Sequence, residues 1–318
     1  MTSFAVVITS YNYRDFVAIA VDSVLAQSRA AAQIIVVDDG STDGSPEHLR
    51  ERYGDDPRVT LLCGENGGQL VAFQRGVAEI RADVACFLDA DDRWEPAYLA
   101  QIGALYDQRR DVEFVFSDMH LFGDEQRWMG YADRSLDLGF TAISTYMLMH
   151  WYGAPTSALS MRTSWARRVL ALPPEMSDNW RLSADNCLVY GASVLGARKY
   201  YLRTGAVQYR IHGNNGWWGN QTATNQYRNR FRSRCLIELY ARGIGLDANC
   251  VESAKHEFRT KPDPTWREAM RYAKLARLRR GSWLRNLERA TSILWPVLRA
   301  GRRRLPRELR DIDPDSMP

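Results

Sequence analysis

The chain has few cysteines, and no two of them stand close together. Cys63, Cys86, Cys187, Cys235 and Cys250 are scattered through 318 residues without a C-x-x-C pair. Zinc modules and disulfide-stapled folds both place their cysteines at short, repeated spacings. The pattern therefore argues against both classes and favours a protein of a reducing compartment.

Long apolar runs are missing as well. No stretch approaches the roughly 20 apolar residues of a transmembrane helix. The first residues lead straight into the apolar run 4–9, which leaves no room for a signal peptide. We therefore expect a cytoplasmic protein that consists of one large domain, or of a domain and an extension.

Acidic residues are scarce toward the end of the chain. Between Lys255 and Arg310 there are 17 lysines and arginines but only 5 acids, whereas the whole chain carries a net charge of +4. An acidic body therefore precedes a basic tail, which also contains Trp266, Trp283 and Trp295. Such helices either lie on an anionic membrane surface or pack on the body with a solvated basic face. We expect no nucleic-acid partner, because the aromatic residues show helical spacing and not the spacing of a stacking platform.

A dense acidic cluster follows one of the apolar runs. Residues 84–88 have the pattern of a buried strand, and Asp89, Asp91 and Asp92 come directly after it. In an open α/β sheet, ligands bind at the carboxyl ends of the strands. Crowded carboxylates are hard to keep ionised without a cation, and oxygen ligands suit Mg²⁺ or Mn²⁺. The alternative is an acidic turn that caps the next helix.

Apolar runs alternate with segments of helical spacing, which predicts βαβ units and a parallel, doubly wound α/β sheet. The predicted strands lie at 4–9, 34–37, 59–62, 84–88, 113–122 and 206–211. The predicted helices lie at 15–30, from 45 onward, and at 70–80, 164–172, 185–195, 228–246 and 265–301. Residues 214–227 are rich in Gly, Asn, Gln and Trp and are predicted to form a loop.

Glycine is absent from the turn after the first strand, where residues 10–14 read SYNYR. A dinucleotide-binding domain needs glycines in this turn so that the backbone can approach a pyrophosphate, and the sequence therefore argues against NAD. A second acidic turn, Asp38-Asp39, follows the strand predicted at 34–37. We expect the two acidic turns to follow neighbouring parallel strands and to meet at one sheet edge. Aromatic and carboxylate groups there suit a base and a ribose, with a diphosphate held through a metal.

Five short motifs, in their order and spacing, resemble a known family. The chain is similar to the inverting, nucleotide-sugar-dependent glycosyltransferases of family 2, which have the GT-A fold, a Rossmann-like and mostly parallel sheet flanked by helices. The motifs read VITSYN at 7–12, VVDDGSTD at 36–43, NGGQ at 66–69, FLDADD at 87–92 and YRIHGNN at 209–215.

The resemblance implies a site for the sugar donor. Thr9, Tyr11 and Asp39 would form the pocket for the nucleotide base, with Asp39 accepting from a base N–H. An Asx turn or a helix cap is the alternative role of Asp39. Asp89 would lie near the ribose, and Asp92 would lie near the donor sugar.

The resemblance also implies a divalent cation, Mn²⁺ or Mg²⁺, with Asp91 as its principal ligand. His212 would be a late ligand of the metal or a contact of the diphosphate, and a structural hydrogen bond is its alternative role. Arg210 pairs either with phosphate or with a buried acid. Arg75 would point toward the donor, although the residues before it depart from a common pattern of the family.

An inverting transfer needs a general base for the acceptor hydroxyl. The family usually places this base in an acidic pair at the start of a helix, and Asp185 is the matching residue, with Ala184 in the position that is usually acidic. Capping of the following helix is the alternative role of Asp185, and Asp178 is the second candidate base. Trp217 and Trp218 lie in the predicted loop, where they either stack on a sugar ring or form an apolar plug.

The sequence therefore predicts a glycosyltransferase domain over residues 1–220, with a nucleotide-binding half at about 1–110 and an acceptor half at about 111–220. A basic helical extension over 221–318 follows. The expected partners are a uridine or deoxythymidine diphosphate sugar and a glycan or lipid-linked acceptor of cell-envelope polysaccharide synthesis, with the protein at the inner face of the membrane.

Two other functions compete with this one. A sugar-nucleotide-binding or scaffold protein with the same fold is the alternative, because Asp185 stands without a second acid. A nucleotidyltransferase would carry a Gly-rich loop with Arg or Lys after the first strand, and residues 10–14 contain no glycine.

Overall fold

The structure, a computed structural model, describes residues 1–213, 222–279 and 282–304. The described residues form one ten-stranded sheet with helices packed around it and a helical C-terminal part. This architecture confirms the α/β class and the mostly parallel central sheet that the sequence predicts.

Four parallel strands form the first half of the sheet, in the spatial order β3-β2-β1-β4. Apolar side chains cover both faces of the central strands, as parallel strands between two helical layers require. In chain order the elements are β1 (Phe4–Ser10), α1 (Arg14–Leu25), β2 (Gln33–Asp38), α2 (Ser45–Tyr53), β3 (Val59–Cys63), α3 (Gln69–Ala78) and β4 (Val84–Asp89).

β1 lies between β2 and β4, since it pairs with both. The two acidic turns therefore follow strands that flank β1, which corrects the expectation that they follow neighbouring strands. They still meet at one edge, because the three strands run parallel, with Thr9 in register with Asp89 and Ser10 in register with Asp38.

α1 ends at Leu25, five residues before the predicted end. The backbone N–H of Ser28 donates to the carbonyl of Pro96 at 2.8 Å, and the amide of Gln27 donates to the carbonyl of Glu95 at 2.8 Å. These long-range contacts take the chain out of the helix, and no local pattern in the sequence reveals them.

The second half of the sheet mixes both strand directions. β9 lies antiparallel between β4 and β6, and β6 pairs in parallel with β10. The elements are β5 (Arg93–Trp94), α4 (Tyr98–Gln108), β6 (Phe114–Gly123), β7 (Arg127–Met129), β8 (Leu136–Gly139), α5 (Ala142–Leu148), β9 (Leu159–Arg162), α6 (Thr163–Leu170), α7 (Asp185–Val194) and β10 (Lys199–Ile211).

β10 begins at Lys199, seven residues before the strand predicted at 206–211. Its register against β6 shifts between Leu202 and Val207, which interrupts the apolar alternation. The buried carboxylate of Asp118 accepts the backbone N–H groups of Thr204 and Gly205 at 2.6 and 3.0 Å and so stabilises the bulge.

Four helices form the C-terminal part: α8 (Ala223–Gly243), α9 (Ala254–Arg259), α10 (Trp266–Arg277) and α11 (Trp283–Arg304). The Thr222 hydroxyl caps α8 by accepting the backbone N–H of Asn225 at 3.2 Å, so residues 223–227, predicted as loop, are helical. Leu236 and Ile237 of α8 are buried in the main core. None of the helices in the described ranges is long and apolar enough to span a membrane.

α10 packs on the body through a buried polar network. Glu268 is 2% exposed and accepts the hydroxyl of Tyr152 at 2.6 Å. Lys261 lies 3.4 Å from Glu268, and Arg271 also pairs with this carboxylate. Tyr272 donates to Glu257 at 2.6 Å. Part of the basic tail is therefore attached to the sheet domain by its own buried groups.

Candidate active site

The candidate site lies at the edge where β1, β2 and β4 end. Asp89 is the last residue of β4, and its carboxylate accepts from the amide of Gln69 at 3.1 Å and from the hydroxyl of Thr9 at 3.5 Å. Burial, followed by the charges of Asp91 and Asp185, raises the pKa of Asp89 well above its usual range. The charge of Asp185 is among these causes although the two acids are far apart in the chain.

Asp91 and His212 are in direct contact. Oδ2 of Asp91 lies 3.0 Å from Nε2 of His212, which follows the last residue of β10. Tyr13 lies beside the Asp91 carboxylate, and burial, followed by the charge of Asp91, raises the pKa of the Tyr13 hydroxyl. The imidazole stacks on Phe16 with 5.5 Å between ring centroids. The start of α1 therefore supports both side chains.

Asp92 is 1% exposed, and its carboxylate holds protein groups. Oδ1 accepts the backbone N–H of Arg210 at 2.7 Å, and Oδ2 accepts the hydroxyl of Ser157. Burial, followed by the charge of Asp91, raises the pKa of Asp92. These bonds join the turn after β4 to the end of β10, and a contact of Asp92 with the donor sugar stays a prediction.

The Arg210 guanidinium is held between two aromatic rings. Its centre lies 4.6 Å from the ring centroid of Phe16 and 4.4 Å from that of Phe122. Nε donates to the backbone carbonyl of Asp91 at 2.8 Å. Arg210 therefore supports the backbone of the acidic turn, and its pairing with phosphate or with a buried acid stays a prediction.

Asp39 binds the loop before α3. Oδ1 and Oδ2 accept the backbone N–H groups of Gly67 and Gly68 at 2.8 and 2.7 Å. This carboxylate therefore links two of the five motifs. Tyr11 is 47% exposed at the same edge, as a side chain that stacks on a base must be.

Arg75 lies on α3 with its guanidinium against Gly64, where an added Cβ would clash with it. It makes no hydrogen bond or ion pair with the residues in the described ranges. The Arg75 guanidinium therefore lies beside the loop 64–66, which in turn contacts Gly40. Its orientation toward the donor stays a prediction.

Asp185 occupies the first position of α7, and Ala184 precedes it as the N-cap residue. Oδ1 accepts the backbone N–H of Asn186 at 2.9 Å. Burial raises the pKa of Asp185 to about 6. Asp178 lies exposed in a short turn at 178–180, and no described contact links it to the acidic turn.

Sequence reasoning missed three residues that build this edge. Gln69 bonds to Asp89, Ser157 bonds to Asp92, and Tyr13 lies beside Asp91. Gln69 stands in the NGGQ motif, which was the available signal, while a lone Ser or Tyr gives none. Trp217 and Trp218 lie outside the described residues.

The residues present fit a divalent cation with few protein ligands. Among residues 1–213, 222–279 and 282–304, no three His, Cys, Asp or Glu side chains are grouped as a metal cage. Asp91 and His212 offer one carboxylate and one imidazole, and the crowding of Asp89, Asp91 and Asp92 favours positive charge. Mg²⁺ and Mn²⁺ are commonly held by one or two such ligands together with substrate phosphates.

Comparisons with known proteins agree with this arrangement. The family model described as Glycosyl transferase family 2 matches residues 5–170. An uncharacterized glycosyltransferase of Nostoc sp. is 32% identical over 241 residues, which covers 74% of this chain and 72% of that protein. The uncharacterized glycosyltransferase YibD of Escherichia coli is 36% identical over 92 residues, 29% of this chain and 27% of YibD.

The fold is similar to that of a solved structure, S. aureus TarS 1–349 in complex with UDP-GlcNAc. The TM-score is 0.55 with 14% sequence identity, and the match covers 95% of this chain and 92% of that one. At this identity the likeness establishes a shared fold, which agrees with the expected GT-A architecture.

Proposed function

The chain belongs to glycosyl transferase family 2, and we propose that it is an inverting transferase that moves a sugar from a nucleotide diphosphate to a hydroxyl group of a glycan or lipid-linked acceptor. The observation that carries this proposal is the position of Asp185 at the start of α7, because the side chain of Gln69 bonds both to the N-cap residue of this helix and to Asp89 at the end of β4. A candidate base therefore lies close to the candidate donor site.

In this mechanism the Asp185 carboxylate accepts the proton of the acceptor hydroxyl while the hydroxyl oxygen attacks the anomeric carbon of the donor sugar. The new C–O bond forms opposite the diphosphate, and the bond between the anomeric carbon and the diphosphate oxygen breaks with its electron pair. The nucleotide diphosphate leaves. A pKa of about 6 keeps Asp185 largely ionised at neutral pH while it remains basic enough for the task.

We propose a uridine or deoxythymidine diphosphate sugar as the donor. TarS, which has the same fold, was solved with UDP-GlcNAc. Thr9 and Tyr11 would contact the base, and Asp39 would accept its N–H. A carboxylate has about four acceptor positions, so Asp39 has room for this bond beside those from Gly67 and Gly68.

The remaining donor contacts follow from the same edge of the sheet. Asp89 would lie toward the ribose, Asp92 toward the sugar, and Arg75 beside the loop at 64–66. Asp91 and His212 would hold Mn²⁺ or Mg²⁺, and such a cation neutralises charge that develops on the leaving diphosphate. The rings around Arg210 and its bond to the Asp91 carbonyl would keep this turn in place.

We further propose that residues 1–220 carry the chemistry and that the extension over 221–318 binds an anionic membrane surface. α11 supports this proposal, because large apolar side chains occupy one exposed stripe at helical spacing. The stripe residues are Trp283, Leu284, Leu287, Trp295 and Leu298. The helix also contains six arginines and one acid, as a helix on anionic lipid requires. A lipid-linked acceptor would then lie in the same membrane to which the protein binds.

The test is release of UDP from UDP-sugars with Mn²⁺ present, for wild type, Asp185→Asn and Asp178→Asn. We expect Asp185→Asn to lose about 100-fold or more of the turnover, because a positioned base contributes 10²–10⁴. Asp178→Asn is the matched control and keeps wild-type turnover. The rise in melting temperature that UDP and Mn²⁺ together cause should be equal in all three proteins. Wild-type turnover in Asp185→Asn removes this residue as the base.

A further inference from the structure

The side chain of Gln69 spans the space between the donor-side acids and the helix that begins with Asp185. Nε2 donates to Oδ1 of Asp89 at 3.1 Å, and it also lies 3.4 Å from the hydroxyl of Thr156. Oε1 accepts the backbone N–H of Ala184 at 2.8 Å. One amide group therefore contacts both the last residue of β4 and the N-cap of α7.

The partners determine which end of the amide faces which element. A backbone N–H only donates, so the carbonyl of Gln69 faces Ala184 and its NH₂ faces Asp89, whose Oδ1 accepts. Asparagine is one methylene too short for this span, and glutamate would place another carboxylate beside Asp89. Glutamine has both the length and the polarity that the two bonds need.

The backbone beside Gln69 contacts the same segment. The Gln69 N–H donates to the carbonyl of Arg181 at 2.9 Å. Gly68 has φ +86°, and a Cβ there would lie 2.6 Å from Cα of Arg181. Ser183 has φ +58°, a conformation that is uncommon for a residue other than glycine. The segment 181–184 is therefore held against the turn at 66–69 in one particular conformation.

We propose that Gln69 is a positioning residue that sets the place of Asp185 relative to Asp89. This inference rests on the proposed function, in which Asp185 takes the proton of the acceptor and Asp89 lies on the donor side. A misplacement of about 1 Å can cost on the order of 100-fold in rate. Loss of the bridge therefore lowers turnover while donor binding, which depends on the side chains at the ends of β1, β2 and β4, is kept.

The first measurement reports on position and needs no turnover. Gln69→Leu removes both ends of the bridge. Gln74→Leu is the matched control, since Gln74 lies on the same helix, is partly buried, and donates one bond to the carbonyl of Leu170 at 2.9 Å. Amide hydrogen exchange is followed at residues 184–186. We expect faster exchange in Gln69→Leu and wild-type exchange in Gln74→Leu. Unchanged exchange at Ala184 in Gln69→Leu overturns the proposal.

The second measurement separates position from binding. Release of UDP from UDP-sugars gives kcat, and calorimetry with UDP and Mn²⁺ gives Kd. We expect kcat of Gln69→Leu to fall about 10- to 100-fold with Kd changed less than about threefold, whereas Gln74→Leu keeps both. An equal fall of kcat in the control, or a Kd that weakens in step with kcat, contradicts the role.

Gln69→Glu distinguishes the two ends of the bridge. A glutamate oxygen still accepts the Ala184 N–H, while its charge repels Asp89. We expect near wild-type exchange at Ala184 together with reduced turnover, and fast exchange would contradict the proposal that an acceptor oxygen at position 69 protects the Ala184 N–H. If wild type releases UDP from no donor, the proposed function fails, and the exchange experiment still decides the role of Gln69.

Discussion

Nε2 of His212 lies 3.0 Å from Oδ2 of Asp91, although 121 positions separate the two residues in the chain. The contact joins the end of β10 to the turn after β4. Phe16 stacks on the imidazole from α1. Three elements that are distant in sequence therefore fix one imidazole beside one carboxylate, which is the pair that we propose as protein ligands of the cation.

His212→Ala is expected to weaken Mn²⁺-dependent binding of UDP about tenfold or more, equivalent to about 1.4 kcal/mol. The reason is loss of a nitrogen ligand, and calorimetry with and without Mn²⁺ measures it. His256→Ala is the control, because His256 lies exposed on α9, away from the contact. Equal affinity of His212→Ala and wild type in Mn²⁺ would exclude His212 as a ligand.

The pKa of Asp185, raised by burial to about 6, predicts the pH dependence of turnover. Only the carboxylate accepts a proton, so kcat should rise with pH through about 6 and level off above it. A profile that is flat between pH 5 and pH 8 would separate Asp185 from the proton transfer.

The same shift predicts a pH-dependent difference in stability. The folded pKa of Asp185 lies above the value of about 3.9 in an unfolded chain. The folded state therefore favours the protonated form of Asp185. The resulting contribution to the free energy of unfolding is fully present below pH 4 and is lost as the pH rises through 6. We expect Asp185→Asn to gain melting temperature over wild type above pH 6 and to show no such gain at pH 4. A difference that does not vary with pH contradicts the shift.

Local patterns were sufficient for the first half of the fold and for the place of Asp89. The strand at 84–88 is uniformly apolar and ends in acids, so periodicity and the rules for parallel sheets put those acids at the ligand-binding edge. The spatial order of the strands was not available from pattern alone, and β1 was therefore missed as the strand between the two acidic turns.

The remaining features depend on contacts between distant residues. The bulge stabilised by Asp118 breaks the apolar alternation at 202–207. The first residues of β10 could therefore not be recognised as part of a strand from the sequence. The Thr222 hydroxyl caps α8, and the helix therefore begins within a segment whose composition is typical of a loop. Gln69 follows two glycines and has the properties of any polar residue at the start of a helix. Only the folded chain shows that both ends of its amide are used.

Glu268→Ala is expected to lower the free energy of unfolding by about 3–5 kcal/mol, because it leaves Lys261 buried without its partner carboxylate. Tyr152 also loses its acceptor. Urea unfolding measures the change. Glu252→Ala removes an exposed pair with Arg279 and should leave the free energy of unfolding almost unchanged, because solvent screens such pairs. Equal costs in the two variants would contradict the buried network that joins α10 to the body.

Because of this network, the proposed membrane contact of α11 has to be tested by point substitution and not by deletion. Deleting the chain from Thr265 onward would remove buried side chains of α10, such as Tyr272 and Leu275, and so would disturb the body. Point substitutions on α11 avoid that effect. Leu287 is 53% exposed within the apolar stripe, and Ile244 is 43% exposed after α8, outside the stripe. Leu287→Glu and Ile244→Glu therefore form a pair matched in charge and exposure.

Leu287→Glu is expected to reduce co-sedimentation with vesicles of phosphatidylcholine and phosphatidylglycerol, because a carboxylate in the stripe opposes burial in the interface and is repelled by anionic lipid. Ile244→Glu should bind as wild type does. Binding of wild type should weaken in vesicles of phosphatidylcholine alone and at high salt, since the arginines act through screened charge. Equal retention of both variants would show that the α11 stripe is not the membrane contact, and wild type that binds neither vesicle would remove the membrane proposal altogether.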